Sequence, residues 1–203
     1  MKIVIVDYGS GNLRSVQKGF EKTGHLATIT NNPNDILDAT HVVLPGVGAF
    51  STCMKNLEVL HLLGPIKKAI TDGKPYLGIC LGLQILFTEG EEFGSFPGLN
   101  IIPGKVVRFP KTVRKVPHIG WNQIHIENKS DVLGGIAENS YFYFVHSYYG
   151  VPEKQDCVAT TTQYDGVTFA SAITKDNIFA CQFHPEKSQA KGLALLSNFA
   201  KQR

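Results

Sequence analysis

Long apolar runs are missing from this sequence. No stretch approaches the ~18 residues needed to cross a membrane as a helix. The apolar run behind Lys2 stops at Asp7, too soon for the core of a secretory signal. A cytoplasmic chain is expected, with no membrane partner. An excess of one charge is also missing. Twenty Lys and Arg face seventeen Asp and Glu, a net charge of +3, with the signs interspersed. The densest positive stretch, Lys111 to Lys115, reads as a solvated loop, so no nucleic-acid partner is expected. Cysteine is scarce: Cys53, Cys80, Cys157 and Cys181, none at metal-ligand spacing. With no His-x-x-x-His, no Cys-x-x-Cys and no carboxylate cluster, neither a metal nor any other cofactor is expected.

What is present is alternation. Lys2–Val6, Leu26–Thr30, His41–Leu44 and Tyr76–Ile79 read as apolar strands. Helices are expected over Leu13–Lys22, with Asn12 as its N-cap, over Pro33–Ala39, from about Ala49 to Leu63, over Pro65–Thr71 and over Leu81–Thr88. That order indicates a mostly parallel, doubly wound α/β sheet. Active groups then collect beyond the carboxyl ends of the strands, where Tyr8–Asn12, Pro45–Gly48 and Cys80 should meet. Six further strands are expected in the second half: Val106–Phe109, His118–Ile126, Tyr141–Val145, Cys157–Thr162, Thr168–Ile173 and Ile178–Phe183. They extend the sheet with antiparallel pairing or pack beside it, and Ser188–Lys201 closes the chain as a helix. With no repeat, low-complexity segment or long linker, residues 1–203 read as one domain.

One junction asks for a chemical explanation. In Gly78-Ile-Cys-Leu-Gly82 the strand runs directly into the helix, with Cys80 at the bend. Glycine at −2 and +2 relieves crowding around an exposed nucleophile, as in the G-x-S-x-G elbow. A helix N-terminus there would favour the thiolate, and the Leu81 N–H could face an oxyanion. A close-packed turn with an inert thiol is the plain alternative. Among seven histidines, His184 stands out. It ends an apolar strand and opens His184-Pro-Glu186. Proline holds His184 extended, so Glu186 projects to the same side and can orient the imidazole. Pro45-Gly-Val-Gly48 offers either backbone N–H groups for an oxyanion or a plain tight turn.

Gly78-Ile-Cys-Leu-Gly-Leu-Gln84, followed far downstream by His184-Pro-Glu186, resembles the class I (triad) glutamine amidotransferases over essentially the whole chain. Asp7-Tyr-Gly-Ser-Gly-Asn-Leu13, Pro45-Gly-Val-Gly-Ala-Phe50, Pro117-His-Ile-Gly-Trp-Asn122 and His184-Pro-Glu-Lys-Ser188 are similar to the subgroup that serves imidazole glycerol phosphate synthases as glutaminase subunits. Leu83, where that subgroup usually has Met, is a volume-conserving departure. The resemblance implies a thioester mechanism on L-glutamine with Cys80 as nucleophile, His184 as base and Glu186 as orienting acid. It implies an oxyanion hole from Val47 or Gly48 with Leu81, and a substrate pocket of Gln84, Glu92, Ser147 and Tyr148. Glu89 and Glu91 compete with Glu92 for the substrate's α-ammonium. It implies a (β/α)8-barrel cyclase as heterodimer partner. That partner would use the ammonia to make imidazole glycerol phosphate and aminoimidazole carboxamide ribonucleotide. Asn12, Trp121, Asn122 and Lys187 would face the partner, with Trp121 equally readable as core. Subunits of anthranilate or aminodeoxychorismate synthase, or a free-standing cysteine hydrolase, are the rival readings.

Overall fold

The computed structural model describes residues 1–202. Its first half runs β1 (Ile3–Val6), α1 (Leu13–Lys22), β2 (Ala27–Thr30), α2 (Pro33–Leu37), β3 (His41–Gly46), α3 (Phe50–Val59), α4 (Leu63–Thr71), β4 (Tyr76–Cys80) and α5 (Leu81–Gln84). The second half runs β5 (Phe87–Gly90), β6 (Phe96–Pro97), β7 (Ile102–Arg108), β8 (His118–Gln123), β9 (His125–Ile126), β10 (Tyr141–His146), β11 (Tyr148–Pro152), β12 (Val158–Tyr164), β13 (Val167–Lys175), β14 (Ile178–Cys181) and α6 (Gln189–Ala200). Among the described residues no helix is long and apolar enough to cross a membrane.

Eight strands form the main sheet in the order β2-β1-β3-β4-β14-β13-β12-β9. Pairing is parallel from β2 through to β14. It is antiparallel from β14 outwards to β9. Side chains alternate across the strands. Ile3, Ile5, Leu77 and Ile79 join Val16, Phe20, Leu195 and Phe199 of α1 and α6 on one face. Val4, Val6, Leu44 and Tyr76 join Ile36, Leu57 and Ile66 of α2, α3 and α4 on the other. Each such buried side chain contributes roughly 1.5–3 kcal/mol. A four-stranded sheet, β11-β7-β5-β6, adds Phe87, Ile102 and Val106 to the second face, and the β8–β10 hairpin adds Phe142 and Phe144 to the first.

Several expectations need correction. The helix expected over Leu81–Thr88 stops after Gln84, and Phe87–Gly90 is a strand. The carbonyls of Ile85, Leu86 and Phe87 accept hydrogen bonds from Leu99, Ile101, Ile102 and Asn100 rather than from a further helical turn. A short apolar run fits either structure, and the distant segment decides. The helix expected to Leu63 ends at Val59, and His61 turns the chain with φ 56°. Strand β11 has no clear signal in the sequence because Gly150 and Pro152 weaken its pattern; Gly150 is needed where the Phe87 ring lies on the backbone. Asn12 makes no side-chain cap; with ψ 49° it is off the extended backbone that aims a cap, and its Oδ1 accepts from Ser15 Oγ at 3.2 Å.

The bend after β4 depends on two glycines. A Cβ on Gly82 would collide with the Leu44 carbonyl, and one on Gly78 with the Gly82 carbonyl. The β8–β10 hairpin is held to the body by buried rings. His118 stacks between Tyr164, 3.9 Å between centroids, and Phe144 at 4.8 Å. His118 Nδ1 and His146 Nε2 lie 3.0 Å apart. Burial pulls both imidazoles down, to about 4 for His118 and about 3 for His146.

Two outcomes follow from this packing. Gly82→Ala is expected to lower Tm by about 10 °C or more, since backbone collisions of this kind cost above ~4 kcal/mol. A Tm within about 3 °C of the parent would show that the backbones do not need to meet. Stability is also expected to fall as pH drops, because the lowered values of His118 and His146 outweigh the single opposing contribution of His184, raised to about 10. Unfolded imidazoles take up protons near pH 6.5, while folded His118 and His146 resist until about 4 and 3. The unfolded state therefore binds more protons across that window, and stability declines with falling pH. His41, lowered chiefly by burial, acts in the same direction. A Tm loss of about 5 °C or more between pH 7 and pH 5 is expected by scanning calorimetry, and a flat profile would contradict it.

Candidate active site

Cys80 ends β4 with φ 55° and ψ −105°, far from the usual left-handed well near ψ +47°. A non-glycine residue held there costs on the order of 1–3 kcal/mol and persists only where its surroundings enforce it. α5 is a single turn, so a strong helix dipole, expected for thiolate stabilisation, is not what the fold supplies. A side chain lies closer. Gln182 Nε2 donates to Cys80 Sγ at 3.5 Å. Strand order brings the neighbouring loops in: Gly46 of β3 lies opposite Cys80, and a Cβ there would strike the Tyr8 hydroxyl.

His184 follows β14, the other neighbour of β4. His184 itself is extended, with φ −105° and ψ 95°, but Pro185–Lys187 form a turn of 3-10 helix rather than the continuous extended segment expected. The contact survives: His184 Nδ1 donates to Glu186 Oε1 at 2.8 Å, with both side chains buried. Nε2 is buried with no hydrogen bond of its own. Burial alone would lower the His184 pKa. The charge on Cys80, followed by Glu186, outweighs it and lifts the value to about 10. Ser188 fixes the turn by donating to the His184 carbonyl at 2.6 Å and accepting from the Tyr143 N–H at 3.0 Å.

A cavity of about 500 Å³ opens beside Cys80, lined among others by Val47, Gly48, Leu81, Gln84, Glu92, Ser147 and Tyr148. All the residues expected to form the oxyanion hole and substrate pocket therefore border one cavity. Gln84 Nε2 donates to the Tyr148 carbonyl and to Gln182 Oε1, both at 3.0 Å. Glu92 accepts from the Phe50 N–H at 2.8 Å, at the start of α3. Its rival Glu89 is committed to Lys105 at 2.6 Å and to Ser95, and neither Glu89 nor Glu91 lines the cavity. Ser10 Oγ donates to the Val47 carbonyl at 2.9 Å, which ties the Pro45–Gly48 loop to the loop after β1.

The four expected partner-facing residues divide. Asn12 and Lys187 are exposed. Trp121 is 46% exposed, so it is a surface residue and not core. Its ring lies edge-on to Tyr143 at 6.3 Å, and Lys187 Nζ sits 5.6 Å from the centre of the same Tyr143 ring. Asn122 departs from expectation. Its Nδ2 donates to the Gln163 carbonyl at 2.9 Å and lies 3.2 Å from His118 Nε2, while its Oδ1 accepts from the Gln123 N–H. Its amide is spent inside the molecule, because β8 alternates and Asn122 falls on the inner side. Gln182, Ser10 and His146 stand outside the set that the sequence points to. For Gln182 a signal exists: an amide inside the apolar run Ile178–Phe183, two residues before His184. Among the described residues no group of three or more His, Cys, Asp or Glu is placed to hold a metal ion.

The chain is similar to known proteins over nearly its full length. The class-I glutamine amidotransferase family matches residues 4–202. The imidazole glycerol phosphate synthase subunit HisH of Geobacter metallireducens is 53% identical over 98% of this chain and 97% of its own. The Aquifex aeolicus protein of the same name is 51% identical over 98% and 96%. Solved structures agree on the fold. PurLQS from Thermotoga maritima superposes with a TM-score of 0.74 at 17% identity, covering 98% of this chain and 97% of that one. The glutaminase domain of Trypanosoma brucei CTPS gives 0.68 at 17% identity, covering 100% and 95%. The chain belongs to the class-I glutamine amidotransferase family and, within it, to the HisH subunits of imidazole glycerol phosphate synthase.

Proposed function

We propose that residues 1–203 act as one glutaminase unit, the subunit of an imidazole glycerol phosphate synthase that releases ammonia from L-glutamine through Cys80. The observation that carries this reading is the buried pairing of His184 with Glu186 at 2.8 Å at the end of the strand next to Cys80, which itself borders the cavity. The Cys80 thiolate attacks the carboxamide carbon of glutamine. The oxyanion forms against N–H groups of Leu81 and of Val47 or Gly48. His184 gives its proton to the departing nitrogen, the C–N bond breaks, and ammonia leaves a glutamyl thioester. Water, deprotonated by the now neutral His184, attacks the thioester carbonyl, the C–S bond breaks, and glutamate leaves with the Cys80 thiolate and protonated His184 restored. Gln84, Glu92, Ser147 and Tyr148 hold the substrate, and Glu92 takes its α-ammonium. The Glu92 oxygen not facing Phe50 supports that assignment.

A subunit implies a partner. We assign a (β/α)8-barrel cyclase that receives ammonia at the strand-end edge and makes imidazole glycerol phosphate and aminoimidazole carboxamide ribonucleotide. Trp121, Lys187 and Asn12 would meet it. Support comes from the outer face of the hairpin, where Ile119, Trp121 and Tyr141 are 51%, 46% and 54% exposed. Aromatic anchors with a neighbouring cation are the kind of surface that binding favours. A cytoplasmic setting suits four cysteines that are all free thiols.

Cys80→Ala is expected to lower glutamine hydrolysis by roughly 10⁴-fold or more, while the synthase still works on added ammonium salt. Retained hydrolysis would overturn the nucleophile; loss of the ammonium-dependent reaction would point to misfolding. In steady-state assays the chain alone is expected to hydrolyse glutamine slowly. Adding cyclase and its nucleotide ligand should raise turnover by at least about tenfold. Trp121→Ala should weaken association by about 2 kcal/mol in titration calorimetry. Equal turnover with and without the cyclase would count against the partner reading.

A further inference from the structure

Gln182 is fully buried in a strand end that is otherwise apolar. A buried carboxamide costs about 1–3 kcal/mol for each group left unmet. Here both ends are met, by Gln84 on one side and Cys80 Sγ on the other.

The orientation of this amide is not free. The Tyr148 backbone carbonyl can only accept, and two side chains donate to it: Gln84 Nε2 at 3.0 Å and His146 Nδ1 at 2.9 Å. Gln84 must therefore keep its NH₂ group inward. Its second proton then needs an acceptor, which fixes Gln182 Oε1 towards Gln84 and Gln182 Nε2 towards the sulfur. The other branch is equally constrained. With its proton on Nδ1, His146 accepts at Nε2 from His118 Nδ1 at 3.0 Å. His118 then accepts at Nε2 from Asn122 Nδ2 at 3.2 Å. Every member has one consistent assignment, and it requires both imidazoles neutral. Burial keeps them so.

We propose that Gln182 is a positioning residue for the nucleophile. Its carboxamide, locked in one orientation by Gln84, donates to the Cys80 sulfur, favours the thiolate over the thiol, and holds the sulfur at the cavity wall. The inference rests on Cys80 being the nucleophile of the reaction above. A hydrogen bond to a charged acceptor is roughly twice as strong as one to a neutral acceptor, so the donor acts on the ionisation itself. The other titratable groups acting on or beside Cys80 are few. His184, paired with Glu186, follows β14; Tyr8 follows β1 and adjoins Cys53; Cys181 lies on β14. Burial raises Tyr8 and Cys181 well above their usual ranges, and His184 stays protonated to about 10. The polar groups left to act on Cys80 are then His184 and Gln182.

The test uses the full chain and needs no glutamine. Gln182→Met keeps the length of the side chain and removes the donor. Alkylation of Cys80 by iodoacetamide, followed by mass spectrometry of its peptide, gives the pH midpoint of the thiol. The midpoint is expected to rise by about one unit, a tenfold smaller thiolate fraction at fixed pH below it. In the complex with cyclase, kcat should fall by about tenfold while KM for glutamine changes by less than about threefold. An unchanged midpoint, even with lower kcat, would reduce Gln182 to packing and overturn the proposal. Should the variant fail to fold, the parent chain decides: the ¹⁵N-labelled Gln182 side-chain amide should shift with the same midpoint as Cys80. No shift through that midpoint overturns it as well. Retained hydrolysis by Cys80→Ala would instead refute Cys80 as the nucleophile, so the two failures are distinguishable.

Discussion

A positive imidazole buried away from water must be flanked by negative charge, or it surrenders its proton. His184 is so placed. Its Nδ1 faces Glu186 at 2.8 Å, and Cys80 acts in the same direction as Glu186 on its proton. Removing one partner of a buried pair leaves a charge uncompensated, at a cost of about 3–5 kcal/mol. The surroundings are arranged to prevent that. The His184 N–H donates to the Tyr143 carbonyl, and Ser188 closes the turn behind it. α1 approaches so closely at Gly19 that a Cβ there would press on Leu196 and come within 3.9 Å of the Glu186 Cβ. The packing of α1 on α6 thus also seals Glu186.

Cys80 imposes a second constraint, on backbone rather than charge. Cys80 sits at φ 55° and ψ −105°, a conformation no isolated residue of its type would choose. The backbones of β3, β4 and α5 meet beside it because Gly78 and Gly82 carry no side chain to keep them apart, while Gly46 leaves room for the Tyr8 hydroxyl. The parallel order β1-β3-β4-β14 then brings the ends of four strands to one edge. The cavity, the Pro45–Gly48 loop and the proposed triad are consequences of that edge. The four-stranded sheet supplies the far wall through Tyr148.

Much of this is legible in the residues. Strand–helix alternation predicts the parallel sheet, and the spacing around Cys80 and His184 predicts their proximity to one edge. What escapes has physical reasons. Ile85 to Phe87 is apolar enough for helix or strand, and only hydrogen bonds from residues 99–102 choose between them. Asn122 and Trp121 are adjacent in a motif, and the motif makes both partner-facing. Strand alternation sends one inward to His118 and Gln163 and the other to the surface. Glu89, Glu91 and Glu92 are indistinguishable by type; Lys105 removes the first from contention and the fold of the loop places only Glu92 on the cavity. The Pro185–Lys187 turn reaches the expected contact by a backbone path other than the extended one.

Alternation along β8 and β10 also explains how one small hairpin serves two environments. Outward, Ile119, Trp121 and Tyr141 offer apolar surface. Inward, His118, Asn122 and His146 form a hydrogen-bonded row that ends on the Tyr148 carbonyl, the acceptor shared with Gln84. The hairpin is further joined to the triad by backbone, through Tyr143 to His184 and Ser188. With a period of two residues, neither face can shift register without exchanging places with the other. A slip of one residue would put Trp121 in the core and an imidazole in water, so the buried row fixes the register of the outer surface. The polar interior of this hairpin therefore contributes specificity of structure to both faces at once, to the substrate wall and to the surface proposed for the partner.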